Sequence, residues 1–401
     1  MPSKAASFHI VNLGCKVNRV EADSFGAALL ARGARSVDEE AADLIVVNTC
    51  TVTAEADKKA RKAVRHALAV NPVADVLVTG CASAISADVF LAMDPRVRVI
   101  GKADLESRLG GGPGAAALRL GDGFRTRVGL KVQDGCNHAC TYCIVHVARG
   151  PARSVPAEAV ADEARAYLRA GVKELVLTGI DIGAYDDCGM GVVQLAERLL
   201  EESDAACAPG DLPARIRISS IEPLNVGDGL IDLLAASGGR LCRHLHLPLQ
   251  SGSSKVLREM ARPYTAEWFE ELVGTMRGRI PSLSLSTDII VGFPGETEQD
   301  FAETCDLVRR AGFSRLHVFP YSPRAGTPAA ARTDQVPSDE KRRRAAVLRS
   351  IGTDLSSADL DRRRGTTELV LVEGPTALTE SYHELPAPTG TRPGDLVPYV
   401  L

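Results

Sequence analysis

The stretch Cys136-Asn137-His138-Ala139-Cys140-Thr141-Tyr142-Cys143 places three cysteines on one short loop, separated by three and then two intervening residues. Three thiolates spaced in this way can hold three irons of a [4Fe–4S] cluster and leave the fourth iron without a protein ligand. An open coordination position is typical of reactive metal sites, whereas structural sites are closed. A zinc ribbon would need paired C-x-x-C knuckles, and only one is present, at Cys140 and Cys143. The loop therefore predicts a reactive iron–sulfur site, with a zinc site as the alternative.

Beyond this loop, the chain after about residue 127 alternates strand and helix patterns, the latter at 157–170, 192–201 and 266–278. Six apolar runs predict strands at Val128–Val132, Glu174–Thr178, Arg215–Ser219, His244–Leu249, Leu283–Val291 and Leu316–Tyr321. Six βα units predict a partial barrel that opens on one side. Function in such barrels sits at the carboxyl ends of the strands.

The cysteine loop and the segments that follow the strands resemble the radical S-adenosylmethionine (SAM) superfamily, in which the open iron chelates the amino and carboxylate groups of SAM. The resemblance implies that SAM contacts residues at the strand ends, namely Gly179, Glu222, Gln250, Ser251, Gly292 and Glu296. Gly179 has no side chain, so backbone can approach a ligand there. Glu222, Gln250 and Ser251 offer hydrogen-bond donors and acceptors. Gly292 begins a turn suited to the adenosine, and Glu296 has an alternative role in capping the next helix.

The first hundred residues contain a second trio of cysteines. Short apolar runs predict buried parallel strands at Phe8–Leu13, Asp43–Asn48 and Asp75–Thr79, and helical patterns follow at roughly 18–32, 53–70 and 82–93. This βα series predicts an open α/β sheet. One or two residues beyond the strands, at the end where such sheets bind ligands, lie Cys15, Cys50 and Cys81. We therefore expect a second cluster with three protein ligands; three unrelated buried cysteines are the alternative.

The composition describes an ordinary soluble globular chain, because 45% of its 401 residues are hydrophobic and 24% are charged. This length predicts two or three domains. The N-terminus lacks the apolar region of a signal peptide, and no apolar run approaches the roughly 20 residues of a membrane span. Ten cysteines without an export signal favour metal binding in a reducing cytosol over disulfides, so we expect a cytoplasmic protein with no membrane association. A net charge of -4 means that RNA binding would need local basic patches.

Motifs along nearly the whole chain resemble those of the methylthiotransferase family of radical SAM enzymes. They are Leu13–Asn18, Asn48–Thr53, Val78–Cys81, the Cys136 trio with Arg149-Gly150 and Arg153-Ser154, His246–Ser253, Thr287–Glu296 and His317–Ser322. Within the family, Leu13–Asn18, Thr178–Gly183 and Leu316–Ser322 are most similar to the branch that acts on N6-threonylcarbamoyladenosine in tRNA. Two segments depart from the family pattern: His146-Val147, where Pro-Tyr is usual, and Tyr185–Gly189.

The resemblance implies an α/β fold with an N-terminal open parallel domain, a central partial (β/α)6 radical SAM barrel and a short C-terminal β module. The expected N-terminal methylthiotransferase domain with an auxiliary cluster spans residues 1–105, and a linker spans 106–126. The barrel spans 127–362, and an abbreviated TRAM-like RNA-binding module spans 363–401. Further linkers are expected at Gly110–Gly114 and around Arg362–Gly365.

Basic residues cluster at Lys58–Lys62 with Arg65, at Lys341–Arg344 and at Arg362–Arg364. Charge runs on helices are usually solvated faces. The last two runs, however, flank the join to the C-terminal module, where a phosphate backbone would need to lie.

The implied activity replaces the hydrogen on C2 of N6-threonylcarbamoyladenosine, at tRNA position 37, by a methylthio group. Side-chain acid–base chemistry does not suffice for a purine C2–H, so cofactors must supply a radical step. The implied cofactors are two [4Fe–4S] clusters and SAM: the cluster of Cys136, Cys140 and Cys143 cleaves SAM, and the cluster of Cys15, Cys50 and Cys81 carries the sulfur. The implied partners are tRNA, a reductant such as flavodoxin or ferredoxin, and a sulfur donor. Alternatives are methylthiolation of isopentenyladenosine or of a ribosomal protein, a ferredoxin-like electron carrier and a structural zinc protein.

An anionic threonylcarbamoyl group needs a cationic or hydrogen-bonding partner, because burying an unpaired carboxylate is costly. Arg149 and Arg324 fall near the expected opening of the barrel and are nominated to bind it. Pairing with a protein carboxylate is the alternative for either arginine. His244 and His246 are expected to pack or hydrogen-bond inside the barrel. Structural roles are expected for the remaining cysteines, Cys188, Cys207, Cys242 and Cys305.

Overall fold

The computed structural model describes residues 6–109 and 126–401. These residues form two compact units. The first comprises residues 6–109 with 134–138 and 143–152, and the second comprises 126–133, 139–142 and 153–401. The grouping of parts of the cysteine loop with the N-terminal residues is not indicated by the sequence. The expected linker at Gly110–Gly114, and most of the one at 106–126, lie outside the described residues.

The first unit is built on a parallel sheet of five strands within residues 6–109. Its strands are β1 Ser7–Asn12, β2 Arg35–Ser36, β3 Leu44–Thr49, β4 Asp75–Gly80 and β5 Val97–Val99. They lie in the order β2-β1-β3-β4-β5. The direction of winding reverses between β1 and β3, and such a switch point is where open α/β sheets bind ligands. The three strands expected from the sequence are confirmed to within a residue at each end.

Helices cover both faces of this sheet. They are α1 Lys16–Ala31, α2 Ala54–Val70, α3 Cys81–Ile85, α4 Ala87–Leu91 and α5 Lys102–Leu109. On one face, Ala60 and Val64 of α2 pack with Phe90 of α4 against the strands. On the other face, Phe25 of α1 packs with Leu105 of α5. Burial of each large apolar side chain stabilises the unit by about 1.5–3 kcal/mol.

The prediction of one continuous helix at 82–93 is wrong. The segment consists of α3 and α4, which are separated at Ser86, whose backbone φ of -139° is not helical. Serine competes with helix formation by hydrogen bonding to nearby backbone, so a break is favoured there.

The second unit contains the barrel. Between residue 126 and the C-terminal module the strands are β6 Arg127–Lys131, β7 Gln133–Asp134, β8 Arg153–Ser154, β9 Glu174–Thr178, β10 Asp186–Asp187, β11 Met190–Gly191, β12 Arg215–Ile218, β13 His244–His246, β14 Ser284–Val291 and β15 Arg315–Pro320. The helices of this stretch are α6 Val145–Arg149, which belongs to the first unit, and α7 Ala157–Arg169, α8 Val192–Ala205, α9 Asp228–Ala236, α10 Ser254–Glu259, α11 Ala266–Arg279, α12 Glu298–Ala311 and α13 Ser338–Arg362. The six expected barrel strands and the three expected helices are all present.

The barrel strands pair in parallel and in chain order, β6-β9-β12 and then β13-β14-β15. A bridge between Ile216 and Leu241 joins the two groups. No pairing between β6 and β15 occurs among the described residues, so the barrel is open on one side, and the expected α/β fold class is confirmed. No helix in the described ranges combines the length and the apolar character that crossing a bilayer requires.

A four-stranded antiparallel sheet ends the chain, with β16 Thr367–Val372, β17 Thr376–Thr379, β18 Glu384–Pro386 and β19 Leu396–Val400. It packs on the amino-terminal end of the barrel strands through Arg215 and Arg217. These guanidinium groups are fully buried, pair with Glu174, and donate hydrogen bonds to backbone carbonyls of the C-terminal sheet. Burial opposes ionisation of Glu174, but the two arginines hold its pKa low, at about 2. Tyr382 stacks on His244, with ring centroids 4.6 Å apart.

Candidate active site

The first cysteine trio lies at the switch point of the N-terminal sheet. Cys15 follows β1 and precedes α1, Cys50 follows β3, and Cys81 follows β4 as the first residue of α3. Gly14 has a backbone φ of +106°, and a Cβ atom at this position would lie 2.5 Å from the Cβ of Cys50. The ends of β1 and β3 therefore approach so closely that only glycine fits between them.

The Cys50 thiol lies within the electrostatic influence of the other two cysteines of this trio. Burial raises the pKa of the Cys50 thiol, and charge on Cys15 and on Cys81 acts in the same direction. Cys50 and Cys81 are buried, whereas Cys15 is exposed, and none of the ten cysteines is in a disulfide. Three soft thiolate donors with one accessible side fit an iron–sulfur cluster that has three protein ligands.

Buried amides hold these strand ends together. Asn18, which is fully buried on α1, donates hydrogen bonds to the carbonyls of Leu13 and Thr49, both at 2.9 Å. In return, Asn48 donates to the carbonyl of Asn18 at 2.8 Å. These hydrogen bonds join α1 to the ends of β1 and β3 and hold the strand ends around the trio in place.

Arg149, at the end of α6, contacts the trio directly. Its Nε donates to Cys81 Sγ at 3.2 Å, and its Nη1 donates to Glu21 Oε1 at 3.0 Å and to Asp134 Oδ1 at 2.8 Å. Its Nη2 donates to Asn18 Oδ1 at 2.7 Å and to Glu21 Oε2 at 3.4 Å. Burial acts against the charge, but Glu21, Cys81 and Asp134 together raise the pKa of Arg149.

In this arrangement the Arg149 guanidinium is bonded to the protein, and its expected role in binding a substrate carboxylate stays a prediction. All five N–H donors of the guanidinium are occupied by residues of the first unit, and the alternative, pairing with protein carboxylates, is what the structure shows. The sequence did not indicate Glu21 or Asp134 as partners. Asn18 was visible only as the last residue of the motif that contains Cys15.

Backbone N–H groups donate hydrogen bonds to two sulfurs of the second trio. The Cys136 Sγ accepts from the N–H of His138, and the Cys143 Sγ accepts from the N–H of Val145, both at 3.4 Å. The Cys136 N–H donates to the Gly150 carbonyl at 3.1 Å. Backbone N–H groups that point at sulfur are one of the ways by which proteins set the potential of an iron–sulfur cluster.

Cys140 is buried in the second unit beside Arg262, whose Nη1 donates to its Sγ at 3.4 Å. Arg262 also forms an ion pair with Glu222 and contacts the hydroxyl of Tyr264 at 2.9 Å. Glu222, an expected SAM contact, thus has a protein partner. Arg262 was not expected as a site residue, because it lies outside every motif with metal-ligand spacing.

Other expected SAM contacts also have roles within the protein. A Cβ atom on Gly179 would lie 3.1 Å from Gln133, whose Oε1 accepts from the N–H groups of Ile180 and Asp181. The hydroxyl of Ser251 lies 3.3 Å from that of Thr304.

Gln250 differs from these residues. Its backbone has a φ of +70°, rare for a residue with a side chain, and its main chain bonds to Asp288 and Ile290 of β14. Its side-chain amide forms no hydrogen bond with any residue in 6–109 or 126–401.

The turn after β14 is held from within. The Glu296 carboxylate accepts from the Gly292 N–H at 2.9 Å and from Arg344 Nη1 at 2.5 Å. The expected alternative role of Glu296 as a helix cap is wrong. Thr297 caps α12 instead, in a reciprocal capping box with Asp300.

Two remaining expectations concern the barrel. His244 Nε2 and His246 Nδ1 lie 3.0 and 2.9 Å from the hydroxyl of Ser286, which confirms their expected hydrogen bonding inside the barrel. Arg324 is buried in the loop after β15, and its carbonyl accepts from the N–H and the hydroxyl of Thr327. Substrate contact by Arg324 stays a prediction.

Comparisons with known proteins give the family. The Radical SAM superfamily profile matches residues 130–308, and that of Uncharacterized protein family UPF0004 matches residues 7–101. A Bacillus subtilis protein named threonylcarbamoyladenosine tRNA methylthiotransferase MtaB is 39% identical over 87% of this chain and 80% of its own length. A Thermotoga maritima protein of the same name is 35% identical over 91% of this chain and 86% of its own length. The chain belongs to the MtaB-like methylthiotransferase family. As a member, it uses SAM and [4Fe–4S] clusters as cofactors.

A related group and two solved structures extend the comparison. A Carboxydothermus hydrogenoformans protein named tRNA-2-methylthio-N(6)-dimethylallyladenosine synthase is 33% identical over 94% of this chain and 90% of its own length. Among solved structures, the radical SAM methyltransferase TsrM from Kitasatospora setae has a TM-score of 0.56 at 15% identity, covering 82% of this chain and 77% of its own. The cobalamin-dependent enzyme OxsB has a TM-score of 0.53 at 10% identity, and the match covers 88% of this chain and 56% of the OxsB chain. At these identities the two structures support the fold alone.

Proposed function

We propose that the protein is a radical SAM enzyme that replaces the hydrogen on C2 of N6-threonylcarbamoyladenosine, at position 37 of tRNA, by a methylthio group. The observation that carries this proposal is the convergence of Cys15, Cys50 and Cys81 at the switch point of the first unit, in a chain that also has the Cys136 loop. An electron carrier or a structural zinc protein needs no second open trio of this kind. The names of the Bacillus and Thermotoga relatives support the choice of substrate.

In this proposal the two trios hold two [4Fe–4S] clusters, the first for the sulfur and the second for SAM. When bound, the clusters and SAM supply the electron, the sulfur and the methyl group, which side chains cannot supply. The protein holds the sulfurs in place. Arg149 and Arg262 each direct a charged N–H at one cysteine, and Asn18 fixes the strand ends that carry Cys15 and Cys50.

The SAM contacts are proposed to lie at the carboxyl ends of the barrel strands. Gln250 has the strongest support, because a side chain in a left-handed backbone conformation with an uncommitted amide is typical of a ligand site. Gly179 and Gly292 are proposed to give backbone access. Glu222, Ser251 and Glu296 are proposed to act through the residues that they hold, Arg262, Thr304 and Arg344.

The reaction also needs partners. We propose that a reductant such as flavodoxin or ferredoxin supplies electrons and that a separate donor restores the sulfur. Since the proposed substrate is tRNA, we place the protein in the cytoplasm.

The test offers the reconstituted enzyme, under anaerobic conditions with SAM and a reductant, two matched tRNAs that bear threonylcarbamoyl- or isopentenyl-adenosine. Mass spectrometry of the nucleosides should show the methylthio product of the threonylcarbamoyl substrate. The dimethylallyladenosine synthases at 33–35% identity make the isopentenyl substrate the second candidate. Preference for that tRNA would overturn the substrate assignment and leave the chemistry intact. Absence of product from both tRNAs, with SAM cleaved normally, would overturn the proposed reaction.

A further inference from the structure

The three basic runs of the chain differ in how their charges are satisfied. At Arg362–Arg364, the first two arginines pair with Asp359 and the third pairs with Asp361. In the run Lys341–Arg344, Arg343 and Arg344 pair with Glu340. Lys341 is buried, with its Nζ over the ring of Tyr321. These two runs, which the sequence places beside the C-terminal module, are largely neutralised within the protein.

The run on α2 is not neutralised. None of its five cationic side chains forms an ion pair or a hydrogen bond with any residue of the described ranges; they belong to Lys58, Lys59, Arg61, Lys62 and Arg65. All five are exposed or partly exposed. Isolated charges on a helix are ordinary, but five unpaired cations within eight residues form a concentrated positive surface.

Four of these cations lie on one face of the helix. Lys58, Arg61, Lys62 and Arg65 occupy positions i, i+3, i+4 and i+7, which align along one side of an α-helix. The opposite side carries the buried Ala60, Val64 and Ala67 and packs on the sheet. The basic face therefore points away from the core. It extends about 10 Å along the axis, a length that reaches more than one phosphate of a nucleic acid strand.

This face begins close in the chain to the first cysteine trio. Thr53, three residues after Cys50, caps the N-terminus of α2 by accepting from the N–H of Ala56. The hydroxyl of Thr51 donates to Asp57 Oδ1 at 2.9 Å, which ties the Cys50 segment to the first turn of the helix. Lys58 is the next residue. A phosphate backbone on this face would thus lie within a few helical turns of Cys50.

We propose that the basic face of α2, formed by Lys58, Arg61, Lys62 and Arg65, binds the phosphate backbone of the tRNA substrate. The inference rests on the proposed function, because it takes tRNA as the substrate. A polyanion of regular spacing matches four unpaired cations on one rigid helix. Binding releases counterions, so each phosphate contact adds both affinity and salt dependence. An acidic electron-donor protein is the other class of partner that such a face could attract.

The test compares two variants that remove the same charge. The first is Lys58→Gln/Arg61→Gln/Lys62→Gln/Arg65→Gln. The matched control replaces four exposed helical arginines without ion pairs in the described ranges, as Arg108→Gln/Arg169→Gln/Arg258→Gln/Arg349→Gln. Glutamine has a helix propensity close to that of lysine and arginine, so both proteins should fold. The full-length proteins are titrated with unmodified tRNA over a range of salt concentrations.

The α2 variant should bind tRNA about tenfold more weakly, and the slope of log affinity against log salt should be shallower by about 0.7 for each lost contact. The control should retain the wild-type affinity and slope. Equal affinity in the wild-type and α2 proteins, or equal loss in both variants, would overturn the proposal. Normal tRNA binding with slower turnover that depends on flavodoxin would overturn it in favour of an acidic protein partner.

This binding measurement needs no turnover, so it is independent of which adenosine is modified. SAM cleavage in the absence of tRNA should be the same in all three proteins, which checks that the α2 substitutions leave the cofactor sites intact. A failure of the proposed function would appear as missing product in the wild-type protein with its tRNA affinity unchanged.

Discussion

The two cysteine trios are built by opposite means. Cys15, Cys50 and Cys81 are far apart in the chain and meet because three parallel strands end at one edge of a sheet. The Cys136–Cys143 trio lies on one loop, and backbone N–H groups of that loop and of the helix that follows it point at Cys136 and Cys143. Each trio nevertheless has a buried arginine that donates to one of its sulfurs, Arg149 to Cys81 and Arg262 to Cys140.

The difference between the trios lies in what surrounds them. The guanidinium of Arg149 is committed on every donor to protein groups, whereas Arg262 has one carboxylate partner, Glu222, whose side chain is 21% exposed. A site assembled by topology depends on a hydrogen-bonded polar frame that holds the strand ends together. A site on a local loop can leave groups open for a ligand.

Removal of either cysteine trio is the strongest test of the difference between the two sites. We predict that Cys15→Ala/Cys50→Ala/Cys81→Ala still cleaves SAM to 5′-deoxyadenosine but forms no methylthiolated product. The reciprocal Cys136→Ala/Cys140→Ala/Cys143→Ala protein should lose SAM cleavage as well. Each variant should retain about half of the wild-type iron, because each removes the only protein ligands of one three-thiolate site.

Iron and sulfide analysis after anaerobic reconstitution measures the retained iron, and chromatography of 5′-deoxyadenosine measures SAM cleavage. Full wild-type iron in either triple variant would show that the ligands are wrongly assigned. Product formation by the first variant would show that Cys15, Cys50 and Cys81 are not the sulfur-bearing site.

Much of this arrangement could be predicted from the sequence, because local patterns determine it. The strand Glu174–Thr178 was expected with the bounds that it has, since a short apolar run between turn residues has few other solutions. The position of Cys15, Cys50 and Cys81 after successive strands was visible for the same reason. Short strands such as β2 and β5 were not predicted, because two or three residues carry no periodicity.

Partners of charged side chains could not be predicted. Arg149 bonds to Glu21, and Arg344 bonds to Glu296; both carboxylates are distant in the chain and are brought near by the fold. The same reason explains why the three basic runs were alike in the sequence and differ in the structure. Whether a cation is free depends on carboxylates that only the tertiary structure brings to it.

A second and smaller effect should separate the two arginines. Arg149→Met removes a buried cation that pairs with Glu21 and Asp134, and loss of one partner from a buried pair costs about 3–5 kcal/mol. Glu21 keeps a partner in Lys102. Arg262→Met should cost less, about 1–3 kcal/mol, because Glu222 is partly exposed to water.

Urea unfolding of the cluster-free proteins, followed by circular dichroism, measures both losses. Trp268, the only tryptophan of the chain, lies in α11 of the second unit, so its fluorescence should report the Arg262 substitution directly. An Arg149→Lys variant keeps the charge but not the five donors and should fall between wild type and Arg149→Met. Equal destabilisation by the two methionine variants would contradict the contrast between the sites.

The smallest expected effect tests the open side of the second unit. Gln250→Ala should weaken equilibrium binding of SAM about fivefold to tenfold, since one ligand hydrogen bond contributes about 1 kcal/mol. Its φ of +70° allows a sharper pair of variants. Gln250→Gly relieves the backbone strain and removes the amide, so it should raise stability and still bind SAM weakly. Gln250→Asn keeps an amide and tolerates the left-handed conformation, so it should recover part of the affinity.

Gln299→Ala, on the exposed surface of α12, serves as the control and should bind SAM as wild type does. If Gln250→Gly binds SAM normally, the amide has no part in the site, and Gln250 is strained for reasons of packing alone.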